Sequence, residues 1–326
     1  MKKRYFFLFA LMASSLMATV TVSGCKKKAG TSTRPVRIAI QPSAAFMPLY
    51  LARYTGLMEE VLAPKQVTVV WQDFESGPPM NESLRADLSD IGVMGDVPTV
   101  GALSGIPAMK LVGVPASGAN AYALLARADD SSLVSPADLR GKRVATVFGS
   151  TGHNLIKKLL EKAGLSFSDI DFRNINAAEA EEQLAGGTVD AVVIWEPTVT
   201  RLTGSGRAKI IARGSDTDLR GTNGFVVREE YLAENADVVG IILQQYARAV
   251  DMLGQLDGEA LAPIAAALAI RPDQVQAIAD TYDFSVVITP EDVAALQDTV
   301  SFLVSIGNLA SEFPVEPTVD RSCYSR

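Results

Sequence analysis

The sequence predicts an α/β protein with mainly parallel sheets, followed by a helical C-terminal third. Three observations carry that prediction. Between residues 35 and 212, short apolar runs of strand length alternate with amphipathic stretches of helical spacing, the pattern of strands joined by crossover helices. Beyond residue 223 the alternation gives way to consecutive segments of helical periodicity. Hydrophobic residues make up 48% of the 326, enough to build cores for two ordinary domains or one large one, which excludes a disordered chain.

The N-terminal segment stands apart from this pattern. Residues 1–4 are basic, residues 5–22 are apolar, and Val22-Ser23-Gly24-Cys25 closes the stretch, which together are the parts of an export signal. Small residues before a cysteine resemble a bacterial lipobox. The expectation is a signal peptide over 1–24, lipidation of Cys25, and a flexible Lys/Gly/Ser/Thr tether over 25–34. A transmembrane anchor is the competing reading, but Ser14, Ser15, Thr19 and Thr21 interrupt a stretch that needs about 20 apolar residues to span a bilayer. A lipidated Cys25 is unavailable for a disulfide, so Cys323 reads as an incidental thiol in a polar tail.

The folded body begins near Pro35. Strands are expected at 36–40, 67–71, 91–94, 109–114, 122–127, 143–147, 191–194 and 208–212. Helices are expected between them at 48–55, 80–86, 98–104, 152–163, 178–185 and 197–202. The helix over 152–163 is the best marked: Ser150 or Thr151 can cap it, Leu155, Ile156, Leu159 and Leu160 share a face, and Gly164 stops it. Segments 238–253, 261–268, 272–282 and 290–306 form the closing helical layer. Two loop-like stretches, 116–119 and 213–222, read as crossings. They divide the body into one lobe of 35–115 plus 223–326 and a second of 120–212, with a ligand cleft between them.

Composition narrows the function. Lys2, Lys3, Arg4, Lys26, Lys27 and Lys28 sit in an acid-free stretch; without them 24 cations face 37 acids, a balance of −13. Such a body is a poor nucleic-acid binder, since phosphate neutralisation supplies most of that affinity. His153 is the sole histidine, so zinc patterns are absent, and no P-loop, nucleophile elbow or dinucleotide fingerprint occurs. Neither a catalytic residue, a metal nor a cofactor is expected.

Binding chemistry has more to work with. Gly149-Ser150-Thr151-Gly152-His153-Asn154 follows a strand and opens a helix, placing hydroxyls and free N–H groups at a positive helix end that suits a sulfonate, carboxylate or phosphate oxygen. Plain helix capping explains Ser150 or Thr151 equally well. Asp96 in Gly95-Asp96-Val97-Pro98 is either an N-cap or a receiver for a ligand ammonium. Trp195-Glu196-Pro197 ends a strand, so Trp195 either packs in the core or covers the apolar part of a ligand. Gln41-Pro42-Ser43 and Thr222-Asn223-Gly224 are polar loop segments at strand or crossing ends.

Taken in order, these segments resemble the nitrate/sulfonate/taurine/thiamine-precursor family of ABC-importer binding proteins, and its aliphatic sulfonate members above all. Leu51-Ala52-Arg53-Tyr54-Thr55-Gly56-Leu57, Ser76-Gly77-Pro78-Pro79, Asp138-Leu139-Arg140-Gly141-Lys142, Val189-Asp190-Ala191 and Ile194-Trp195-Glu196-Pro197 add to the match, which runs from about residue 36 to 227. The resemblance implies a periplasmic-binding-protein-like (type II) fold of two α/β lobes on a hinge. It also implies a non-enzymatic, extracytoplasmic monomer, held to the membrane by its lipid, that delivers a small anion to permease and ATPase subunits. The anion is a sulfonate such as an alkanesulfonate or taurine, with nitrate or a thiamine-precursor pyrimidine as alternatives, and an enzyme of related fold as the remaining one. Carried over by position, the site comprises Gln41, Asp96, Ser150, Thr151, Gly152, His153, Trp195, Glu196, Thr222 and Asn223. Gly152 stands where the family has a small Ala, and Glu196 where it commonly has Asp.

Overall fold

The computed structural model describes residues 34–324. The signal peptide, the lipidated Cys25 and the tether expected before them lie outside the described residues. Along the chain come β1 (Arg34–Ile40), α1 (Met47–Thr55), α2 (Leu57–Leu62), β2 (Val67–Asp73), α3 (Gly77–Arg85), β3 (Ile91–Gly95), α4 (Asp96–Gly105), β4 (Met109–Gly113), β5 (Ala116–Ser117), β6 (Tyr122–Arg127), β7 (Arg143–Thr146) and α5 (Thr151–Lys162). There follow β8 (Asp171–Asn174), α6 (Ala180–Ala185), β9 (Ala191–Trp195), α7 (Thr198–Gly204), β10 (Ala208–Arg213), β11 (Asn223–Arg228), α8 (Glu229–Leu253), α9 (Ala262–Ala267), α10 (Pro272–Ala279), β12 (Asp283–Phe284) and α11 (Pro290–Ser305).

The strands form two five-stranded sheets, ordered β2-β1-β3-β11-β4 and β10-β6-β9-β7-β8, and a two-stranded pair of β12 with β5. Each large sheet contains one reversed strand. β11 runs antiparallel to both β3 and β4, and β6 runs antiparallel to both β9 and β10. These are the strands by which the chain arrives after each stretch that links the sheets. Strands on both faces of a helix-covered sheet read as continuous apolar runs, and β3, β6 and β9 are buried almost throughout.

An arginine clamp of one geometry recurs in both sheets. In the first, Arg37 on β1 donates its backbone N–H and Nε to Asp90 Oδ2 and an Nη to Oδ1, tying β1 to the start of β3. In the second, Arg143 on β7 makes the same three bonds to Asp190, just before β9, at 2.8, 3.1 and 2.7 Å. Bidentate pairs of this kind fix strand register as well as adding energy.

Three expectations change. β8 and β11 were not foreseen as strands from apolar pattern: β8 is a polar edge of Asp-Phe-Arg-Asn, and β11 opens with Asn223-Gly224. The span α8 is two helices joined at a kink at Asn235 (φ −133°), whose side chain donates to Tyr231 O, so the helix expected from 238 is preceded by a shorter one from Glu229. Cys323 does not sit in a polar tail; it is buried against α8, with its carbonyl near Gly240. Tyr246, fully buried in α8, donates its hydroxyl to Pro115 O and so ties the helical layer to the first linking stretch.

Candidate functional site

A narrow cleft, with a cavity of about 20 Å³, lies between the two sheets. Its wall follows from strand direction. In parallel strands, ligands meet the carboxyl ends, and here the ends of β1, β3 and β9 supply Gln41, Gly95 and Trp195. The reversed strands β6 and β11 deliver their first residues to the same place. Tyr122 pairs in register with Trp195, and Asn223 pairs with Gly95. Ser43, Gly77, Pro98, Ser150 and Thr151 complete the lining.

The N-termini of α3, α4 and α5 all open onto this wall, through Gly77, Gly95 and Ser150. Each presents a partial positive charge; the first turn of α5 has no proline, whereas Pro78 and Pro79 in α3 and Pro98 in α4 carry no N–H and Val97 N of α4 donates to Asp96 Oδ1. No lysine or arginine lines the cleft. In α5, Ser150 caps the helix by accepting from His153 N and donates its hydroxyl to Val147 O at 2.6 Å, so its proton is turned inward. Thr151 donates to Asp96 Oδ1 at 2.5 Å. Gly95 has to be glycine for this contact, because a Cβ there would meet Thr151 Oγ1 at 2.6 Å. Asn223 directs its amide N–H groups at Ala116 O and Gly221 O, which leaves its carbonyl oxygen as its free polar atom.

The remaining residues expected at the site stand behind the wall. Asp96 is 3% exposed and accepts from Val97 N, Thr151 and Thr299; burial raises its pKa while those bonds oppose the rise. Glu196, also buried, is spent on α7: its two oxygens accept from Thr200 N and Thr200 Oγ1, both at 3.0 Å, and burial raises its pKa too. Gly152 packs where a Cβ would meet Thr146 Oγ1 at 2.6 Å and Val193 O at 3.2 Å, which accounts for glycine in place of the family's alanine.

His153 points away from the cleft into a cluster of Phe148, Phe167, Phe172 and Phe302. Its Nδ1 accepts from Gly149 N at 3.3 Å, and burial pushes its pKa down to about 4, so it is neutral at ordinary pH. Thr222 faces a second cavity at the rear, shared with Asp96 and Asn154. The structure thus brings Gln41, Ser150, Thr151, Trp195 and Asn223 together on the wall and sets Asp96, Gly152, His153, Glu196 and Thr222 behind it. Ser43, Gly77, Gly95, Pro98 and Tyr122 join the wall without having been singled out as contacts. For Tyr122 the available signal was its place as the first strand residue after a crossing.

Comparison with known proteins fits this geometry. The family model described as NMT1/THI5 like matches residues 94–256. A protein of Escherichia coli (strain K12) named for binding aliphatic sulfonates is 29% identical over 235 residues, 72% of this chain and 72% of its own. The alkanesulfonate-binding protein SsuA from Xanthomonas axonopodis pv. citri, bound to MOPS, superposes with a TM-score of 0.81 at 28% identity, covering 89% of this chain and 99% of that one. The desulfurization enzyme DSZB shares the fold alone, at 15% identity and a TM-score of 0.68 over 89% of this chain and 97% of its own. The fold is therefore that of periplasmic binding proteins, and with half of its length matched the chain belongs to the NMT1/THI5-like family.

Proposed function

We propose that this chain is the extracytoplasmic solute-binding component of an ABC importer and captures a small alkanesulfonate in the cleft between its sheets. The observation that carries this is the convergence of three helix N-termini on a wall with no cation and no available carboxylate. Such a wall holds a compact anion by N–H dipoles. Trp195 and Tyr122, side by side across β9 and β6, supply apolar surface for an alkyl tail. The likeness to proteins named for sulfonate binding supports the same ligand class.

The carboxylates weigh against taurine. An ammonium group is best met by a carboxylate, and both Asp96 and Glu196 are buried with their oxygens already bonded, so the wall offers it only neutral oxygens such as that of Asn223. A wall without cysteine or histidine also favours binding over turnover. On this reading residues 35–115 plus 223–326 form one lobe and 120–212 the other, which close on the ligand and present a surface to permease and ATPase subunits. The protein acts as a monomer anchored through Cys25. Isothermal titration of the purified protein with ethanesulfonate, nitrate and a thiamine-related pyrimidine tests the assignment. One-to-one binding of ethanesulfonate without turnover is expected, and binding of the pyrimidine or nitrate in its place reassigns the ligand.

A further inference from the structure

We propose that Asp96 takes up a proton when the cleft takes up its anion, making capture proton-linked with Thr151 as the relay. The inference rests on the reading of the cleft as an anion site. Its basis is the orientation of one hydrogen bond. A hydroxyl carries a single proton, and Thr151 Oγ1, on the cleft wall, spends it on Asp96 Oδ1 at 2.5 Å. With Asp96 ionised, its oxygens accept from Val97 N at 2.7 Å and from Thr151, and the carboxylate fixes the direction of the Thr151 hydroxyl; Thr299 shares its one proton between Asp96 Oδ2 at 3.2 Å and Ala295 O at 3.1 Å. Thr151 then shows lone pairs to the cleft, and these repel a sulfonate oxygen. The anion would also sit one hydroxyl away from a buried carboxylate that makes no ion pair among the described residues.

Protonation of Oδ1 reverses the bond. Asp96 then donates to Thr151 Oγ1, the Thr151 proton turns to the arriving anion, and Val97 N still finds a lone pair on Oδ1. One proton enters, none leaves, and the charge brought by the anion is balanced. The proton has a route that avoids the ligand. A rear cavity of about 340 Å³ is lined by Asp96, Asn154 and Thr222. Thr222 Oγ1 is buried there without a protein partner, and the Asn154 amide faces Asp96 with no hydrogen bond of ordinary length, the polar setting in which water resides.

The groups packed around Asp96 favour the neutral form. From α11 and the loop before β11, Glu291, Asp298 and Asp218 line the rear cavity, with Arg220 beside them. Arg220 is engaged by Asp292, and Lys158 of α5 by Asp218 and Asp298. The phenol of Tyr122 on β6 faces Asp96 from the second sheet, and burial raises its own pKa well above neutrality. His153 of α5 is turned into its phenylalanine cluster. On α3, Glu82 and Arg85 pair with each other beside the far end of α4, near Gly105, and Lys110 on β4 pairs with Glu229.

The test is calorimetric titration of the whole protein with ethanesulfonate in two buffers of different ionisation enthalpy, from about pH 5 to 9. Uptake of up to one proton per ligand is expected, with the dissociation constant rising toward about tenfold per pH unit where uptake is largest. Asp96→Asn should abolish the uptake and flatten the profile. Should that variant not fold, the wild-type infrared difference spectrum on binding should gain a protonated carboxyl stretch and lose a carboxylate one. Binding with no uptake and a flat profile overturns the inference alone, as does uptake that persists in the variant. Absence of binding at every pH overturns the anion reading, and this inference with it.

Discussion

At the scale of single residues, the cleft depends on a glycine that cannot grow. Gly95→Ala would drive a methyl into Thr151 Oγ1, 2.6 Å from the ideal Cβ position, and break the alignment of that hydroxyl with Asp96. The expected result is at least about a tenfold loss of sulfonate affinity with a stability cost of about 1–3 kcal/mol, read by calorimetry and by urea melts. His153 makes the opposite case. Although it lies in the segment that resembles the family's anion-binding motif, its ring belongs to the Phe148, Phe167, Phe172 and Phe302 cluster. His153→Phe should leave sulfonate affinity within about threefold of wild type, a change of under about 1 kcal/mol. The sequence located Ser150, Thr151 and Trp195 because each follows a strand and precedes a helix, a context that spacing reveals. It could not separate wall from backing, because whether Asp96 faces ligand or protein depends on Thr151 and Thr299, 55 and 203 residues away.

At the scale of elements, the paired clamps of Arg37 with Asp90 and Arg143 with Asp190 explain how two sheets far apart in sequence keep the same register between neighbouring strands. Arg143→Met removes two side-chain bonds and leaves Asp190 with a single backbone donor. It should lower the midpoint of equilibrium unfolding, with no change in sulfonate affinity. The aromatic cluster holds α5 on the second sheet and has its own pH signature. His153 titrates at about 4 folded and at its ordinary value of 6.5 unfolded. The unfolded chain therefore binds a proton that the folded one refuses. This contribution is fully present above pH 6.5 and is lost as the pH falls toward 4, up to about 3 kcal/mol. The difference in acid stability between wild type and His153→Phe isolates it from the carboxylates. Among elements, long buried strands and long amphipathic helices were legible. β8 and β11 were not, because an edge strand needs no apolar run and a strand entering beside a binding cleft begins with polar residues.

At the scale of the molecule, the plan follows from two reversed strands. β6 and β11 each enter a sheet against the grain, so their first residues, Tyr122 and Asn223, meet the ends of the parallel strands at a common cleft. No residue run encodes that meeting; it arises from topology, which is why Tyr122 escaped a reading by motif. The charge of the body, −13 outside the two basic N-terminal clusters, opposes an anionic ligand at long range while the helix termini attract it at short range. Raising the ionic strength should therefore speed association, by up to about threefold between low and physiological salt in stopped-flow measurements following Trp195 fluorescence, a screening effect on encounter.

The measurement that tests the central claim most directly is competitive calorimetry of ethanesulfonate against taurine, ligands of similar size that differ by an ammonium group. A cleft whose carboxylates are already bonded should bind ethanesulfonate at least about tenfold more tightly, a difference of about 1.4 kcal/mol. Equal or tighter binding of taurine would contradict the account, because it would mean that Asp96 or Glu196 supplies a counter-charge the folded protein keeps bonded elsewhere, or that neutral oxygens such as that of Asn223 satisfy an ammonium in full.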